Sequence, residues 1–138
     1  MVALEITGGV VPRLSRAAMK RFLRESLRHL ENARAVREPL EELSIAFVSD
    51  SRMKALNLRF RKRNQTTDVL TFPGESAEIV ISLPTAKRQA REERHSLATE
   101  VRYLLLHGLI HSLGYDHATD EGEMDALEMR LRAKVGLA

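Results

Sequence analysis

The chain has 138 residues, no cysteine, a formal net charge of +3 and a pI of about 9.6. With 43% hydrophobic and 30% charged residues, it reads as one folded domain spanning 1–138, neither disordered nor repetitive. The lack of cysteine excludes disulfides and thiolate metal sites. No apolar run approaches the ~20 residues of a membrane span and no signal-peptide core opens the chain, so a cytoplasmic protein is expected.

Val2–Ile6 predicts a short strand closed by Thr7-Gly8-Gly9. Pro12 and Ser15 then open a helix to about Glu31, with Leu14, Ala17, Ala18, Phe22, Leu23, Leu27 and Leu30 at helical spacing. The polar stretch from Asn32 to Glu41 reads as a loop, and Leu43–Ser49 as a strand. Ser49 or Asp50 caps a second helix on which Met53, Leu56, Asn57 and Phe60 recur as one inward face. Asn64–Thr67 forms a turn, and Asp68–Phe72 and Ala77–Leu83 make a hairpin around Pro73-Gly74. Pro84 or Thr85 starts a charged helix to about Ser96. An apolar helix follows through Val101–Leu106, and the tail from Asp120 to about Val135 docks through Met124, Leu127, Leu131 and Val135.

The resulting order, β-α-β-α-β-β-α-α-α, argues for an α+β domain with a four-stranded mixed sheet flanked by about five helices. The first two strands should pair in parallel through a right-handed crossover.

Chemistry gathers in His107-Gly-Leu-Ile-His111-Ser-Leu-Gly114-Tyr-Asp-His117. Residues four apart on a helix differ by about 40° in azimuth and roughly 6 Å in height, so His107 and His111 share a face. Two such histidines arise by chance; a third after a glycine turn changes the balance. Gly114 suits a left-handed helix end that returns His117 to the same spot. Three imidazoles around an open position suit a catalytic zinc ion, one per chain, at the end of the central helix. Metzincin peptidases share this spacing but carry a glutamate after the first histidine. Here that position is Gly108, which cannot take a proton, and Glu100 is roughly 10 Å down the helix axis.

Between Asp50 and Asp68 no acid interrupts Arg52, Lys54, Arg59, Arg61, Lys62 and Arg63. Such a run is either a solvated helix face or a phosphate-contacting patch.

Three blocks resemble the YbeY family of metal-dependent endoribonucleases. Leu56-Asn-Leu-Arg-Phe60-Arg61 with Thr67-Asp68-Val-Leu-Thr-Phe72-Pro73 looks like its N-x-x-[FY]-R and T-D-V-L-S-F-P. Glu78-Ile-Val-Ile-Ser82 looks like its D-I-x-I-S strand, and the histidine block looks like H-G-x-L-H-x-x-G-Y-D-H. Thr66, Glu78 and Ile110 depart from the pattern without touching a histidine of the block or Arg61. The resemblance implies a zinc-dependent endoribonuclease acting on single-stranded ribosomal RNA precursors, in 16S 3′-end maturation and ribosome quality control. It implies His107, His111 and His117 as zinc ligands and Arg61 as the catalytic basic residue. RNA and small-subunit components are the partners implied, with no DNA and no membrane.

A zinc ion and a guanidinium both stabilise a phosphorane, and zinc acidifies water to a pKa of about 7 without a carboxylate base. Either water or the RNA's own 2′-hydroxyl fits as nucleophile, and nickel or cobalt would also suit three imidazoles. Two other classes stay open: a metzincin-like zinc peptidase, and a non-catalytic RNA or ribosome assembly factor. Asp116 suits either a carboxylate supporting a ligand or a turn stabiliser. Asp68 reads as a strand-entry cap and Tyr115 as turn packing.

Overall fold

Alternation along β2 (Glu42–Val48) decides which way the sheet faces: Leu43, Ile45 and Phe47 are buried while the residues between them are less so. β4 (Ser76–Ser82) alternates only at its start and is buried on both faces from Ile79 to Ser82, with Ala77, Ile79 and Ile81 on the main-core side. The computed structural model describes residues 1–137. β1 (Ala3–Thr7) pairs in parallel with β2, β2 in parallel with β4, and β3 (Val69–Phe72) antiparallel with β4. The order β1-β2-β4-β3 is the expected four-stranded mixed sheet, with β3 at an edge.

α1 (Arg16–Asn32) starts after Ser15, whose hydroxyl accepts from Ala18 N at 3.1 Å. Pro12 and Leu14 precede it in a separate turn closed by a bridge between Val11 and Leu14. α3 (Leu83–Glu92) begins earlier than expected, because Ser82 caps it and Pro84 falls in its first turn. It also ends sooner. Ser96 caps the longer α4 (Leu97–Ser112), so the apolar helix takes in the mixed segment 97–100. α5 (Glu123–Lys134) follows a turn in which Asp120 accepts from Gly122 N and Met124 N.

α1, α4 and α5 cover one sheet face, closing the main core around Ile45, Ile79, Leu105, Leu109 and Leu127. α4 approaches the sheet closely at Gly108. A Cβ there would stand 2.7 Å from Ile79 Cδ1 and 2.8 Å from Cγ1, and Ile79 is fully buried. Gly108→Ala should therefore destabilise the fold by about 1–2 kcal/mol, overpacking winning over alanine's better helix propensity. A Tm lowered by roughly 3–8 °C in a thermal melt is the expected result; an unchanged or raised Tm would contradict the close approach.

α2 (Asp50–Arg61) lies on the opposite face, where Met53, Leu70 and Val80 form a second, small core bordered by Leu56 and Phe72. The expected inward face of α2 needs correction at its end, since Phe60 is 52% exposed. The other end is tied down by Asp50. Its Oδ1 accepts from Ser82 Oγ and Thr85 Oγ1, each at 2.6 Å, and more distantly from Thr66 Oγ1 at 3.4 Å. Arg88 Nη2 donates to Oδ2 at 2.8 Å. These hydroxyls, Ser82 first, and then Arg88 hold the carboxyl well below the usual carboxylate range. A carboxyl depressed in the folded state adds stability that is complete above its unfolded pKa, near 3.8, and is lost as pH falls. Between about pH 5 and pH 2 the denaturation midpoint of the protein should fall. Asp50→Asn should flatten that dependence; an equally steep loss in the variant would remove Asp50 as its source.

Candidate functional site

His107 and His111 sit in the last two turns of α4, each half-buried. His107 Nδ1 lies 2.9 Å from Glu128 Oε1 on α5, and Arg132 Nη2 donates to the other oxygen of that carboxylate at 2.7 Å. The hydrogen bond to Glu128 raises the His107 pKa, against the opposite pull of burial. Burial would raise the Glu128 carboxyl, but His107 and Arg132 together hold it below its ordinary value. His111 Nδ1 lies 2.6 Å from the Tyr115 carbonyl, which only accepts, so this nitrogen donates. Burial first, then the neighbouring His107, depress the His111 pKa and favour its neutral form. With both Nδ1 atoms turned to acceptors, both Nε2 atoms are left with a free lone pair in the neutral tautomers.

The turn after α4 forms as its glycine requires. Gly114 has φ +105°, and a Cβ there would meet Glu38 Cγ at 2.8 Å. The Leu113 carbonyl accepts from Arg37 N and Glu38 N, both at 3.0 Å. The Arg37 guanidinium covers the buried Tyr115 ring at 3.9 Å, so Tyr115 is turn packing, as expected. Asp116 Oδ1 accepts from Ala118 N at 3.0 Å, which makes it the turn stabiliser. The supporting carboxylate on the histidine pair is Glu128.

His117 is exposed on this turn, its ring tilted 58° to that of His107 with centroids 5.4 Å apart. Among the described residues, no group of three or more histidine, cysteine, aspartate or glutamate side chains is gathered to hold a metal ion. The expectation of a zinc site built into the fold at the end of the central helix is thereby corrected. The turn brings His117 beside His107, yet a ring-to-ring contact on an exposed turn does not aim three nitrogens at one point.

Arg61, in the last turn of α2, borders the same cleft of about 490 Å³ as His107, His111 and His117. Its charge helps to lower the His111 pKa. The helix stops just beyond, where Lys62 takes a left-handed conformation with φ 57°. Asn57 Nδ2 donates to the Gln65 carbonyl at 2.9 Å and the Asn57 carbonyl accepts from Arg63 N. An asparagine counted on the apolar face of α2 is thus the clamp that fixes the turn following Arg61.

Asp68 Oδ1 accepts from Val69 N at 2.8 Å, the strand-entry cap that was expected. With Val69, His107 and His117 the residue also borders a second cavity of about 720 Å³, on whose wall are Gln89, His95, Glu100 and Tyr103. In its satisfied orientation, the Gln89 amide donates to Glu100 Oε2 and Asp68 Oδ2. Glu100, buried and 2.6 Å from His95 Nε2, is hydrogen-bonded to His95 and Gln89 rather than to either histidine of the pair.

Fold and site together define a small α+β protein whose helix-borne histidine pair, backed by a carboxylate, faces an arginine across an open cleft. The family model described as endoribonuclease YbeY matches residues 11–136. Endoribonuclease YbeY of Solibacter usitatus is 41% identical over 127 residues, covering 90% of this chain and 82% of that protein. Its counterpart in Nautilia profundicola is 45% identical over 103 residues, covering 70% of this chain and 74% of the relative. The solution structure of TM1509 from Thermotoga maritima shares the fold, with a TM-score of 0.63 at 24% identity over 98% of this chain and 89% of that one. The chain belongs to the YbeY family of metal-dependent endoribonucleases. No helix among the described residues is long and apolar enough to cross a membrane.

Proposed function

We propose that this protein is a zinc-dependent endoribonuclease that trims single-stranded ribosomal RNA precursors, at the 3′ end of 16S RNA and in ribosome quality control. Residues 1–138 work as one cytoplasmic domain in that reading. RNA and small-subunit components are its partners. The observation that carries it is Arg61 bordering one cleft with His107, His111 and His117, in a chain of this family.

The donor chemistry suits a divalent metal. Glu128 and the Tyr115 carbonyl take the Nδ1 atoms and orient two imidazoles with Nε2 outward, the usual support for ligating histidines. His107, His111 and His117 are the residues that would hold one zinc ion. When bound, zinc supplies positive charge beside the phosphate and acidifies water. Arg61 binds the scissile phosphate and adds its guanidinium charge where negative charge develops. Glu128 keeps the proton of His107 on Nδ1. A peptidase reading lacks its carboxylate, because position 108 lies hard against Ile79 and has no room for a glutamate.

Cleavage of a single-stranded ribosomal RNA precursor fragment tests the assignment. The protein loaded with zinc should cut the RNA and leave casein intact. Its RNA affinity should fall steeply with salt as counterions are released. Proteolysis without RNA cleavage would favour the peptidase, and RNA binding without cleavage under any divalent metal would favour the assembly factor.

A further inference from the structure

We propose that Phe60 is a base-stacking platform that holds the nucleotide next to the scissile phosphate as the RNA leaves the cleft. The inference rests on the endoribonuclease reading and adds a residue that touches a base where the cleft residues act on a phosphate.

Residues 58–65 are all exposed. Within them Arg59, Arg61, Lys62 and Arg63 stand beside two large apolar side chains, Leu58 at 49% and Phe60 at 52% exposure, and no acid. An exposed phenylalanine normally has to be explained by what covers it. The second core does not cover this one: it closes at Leu56 and Phe72. Phe60 touches Phe72 edge-to-face, with centroids 5.2 Å apart and planes at 76°. That contact fixes the ring and leaves much of its surface to solvent. The Arg59 guanidinium lies 5.2 Å from the same centroid.

Position on the fold gives the ring its direction. Val69, Leu70 and Thr71 of β3 border the cleft, and Phe72, the next residue of the strand, carries Phe60. The ring therefore lies just beyond the cleft wall, against the strand residue that follows it. An apolar surface ringed by cations is poorly matched to an apolar protein groove. It is well matched to single-stranded RNA, in which every phosphate is an anion and every base offers a flat apolar face.

Phe60→Leu should weaken binding of a single-stranded oligoribonucleotide by about 5- to 100-fold, the usual worth of one stacked base. The slope of log affinity against log salt should stay that of the parent protein, since no charge is lost. Lys62→Ala should lower the slope instead, by up to about one unit. The chain contains no tryptophan, so Phe60→Trp places a single indole at the platform. Its fluorescence should be quenched when stopped-flow mixing adds the oligoribonucleotide, before cleavage begins, whereas Leu58→Trp should respond weakly. Thermal melts of the variants should match the parent, because the ring is half-exposed.

Normal RNA affinity in Phe60→Leu together with an unquenched Phe60→Trp overturns the stacking role while leaving the endoribonuclease reading intact. Failure of the parent protein to bind any single-stranded RNA overturns both. A parent dimer in sedimentation that Phe60→Leu converts to monomer would assign the ring to a second copy of the chain instead.

Discussion

Arg61→Ala should slow single-turnover cleavage of RNA on the order of 10²- to 10³-fold, the loss expected when one preorganised charge donor is removed from a reacting centre. RNA affinity and metal content should change little. The comparison that gives the number meaning lies in its neighbours. Lys62, one residue on, is absent from the cleft wall, whereas Arg63 and Arg61 both border it. A solvated basic run would make all three alanine variants alike, each losing a little affinity and at most about one unit of salt slope. Unequal losses are expected instead: largest in rate for Arg61, confined to binding for Lys62, with Arg63 between. Arg61→Lys should recover part of the rate, since an ammonium keeps the charge without the bidentate fork. Equal, small losses across the three would take Arg61 out of the site.

Much of the fold was legible because its elements announce themselves locally. The buried alternation of β2, the apolar run of β4, the serine caps of α1 and α2 and the glycine turn at Gly114 are decided by residues within a few positions of one another. Strand order is different. That β4 inserts between β2 and β3 is a choice between distant segments, and no local pattern records it. Phe60 was misplaced for a related reason. Periodicity reports which residues share a helix face, not how far the surface beneath extends. Under α2 that surface is the small core of Met53, Leu70 and Val80, and the last turn of the helix runs past its edge.

The site divides along the same line. The i, i+4 spacing brought His107 and His111 to one face, and the turn carried His117 beside His107. Spacing says which side chains become neighbours; it does not say whether their nitrogens converge, and among the described residues the three imidazoles do not gather as a metal-holding group. Glu128 lies 21 positions from His107, on another helix, so no motif links the two. Glu128 shares α5 with Glu123 and Asp125, so the sequence of that helix does not single it out. Asp116, adjacent to His117 in sequence, was the nearer candidate for support, and its carboxylate is spent on the turn.

His111→Ala should abolish most zinc binding and, with it, cleavage, while the protein stays folded. That one substitution has three separable effects. The first is structural. Truncating the side chain leaves the Tyr115 carbonyl without its imidazole donor, at a cost of about 1–3 kcal/mol if water does not replace it. The rest of α4 is anchored by Val101, Leu105, Leu106 and Leu109, which the substitution does not touch. Circular dichroism and a cooperative melt should therefore resemble the parent's, with a modestly lower Tm. The second effect is the loss of an assigned ligand, which should exceed the roughly 10- to 100-fold drop in metal affinity that follows from removing a supporting carboxylate. Glu128→Ala supplies that smaller value in the same protein, since it frees His107 Nδ1 while leaving all three imidazoles. The third effect is on RNA: in the proposed reading its phosphates meet Arg61 and the neighbouring cations, none of which the substitution touches, so affinity for RNA should persist. Zinc titration followed by elemental analysis of the parent, Glu128→Ala and His111→Ala gives the ranking. About one zinc per parent chain, weaker uptake with Glu128→Ala and almost none with His111→Ala is the expected order. A parent protein that takes up no divalent metal, or a His111→Ala variant that holds it as tightly, would overturn the ligand assignment and leave the histidine pair as a hydrogen-bonded joint between α4, α5 and the turn.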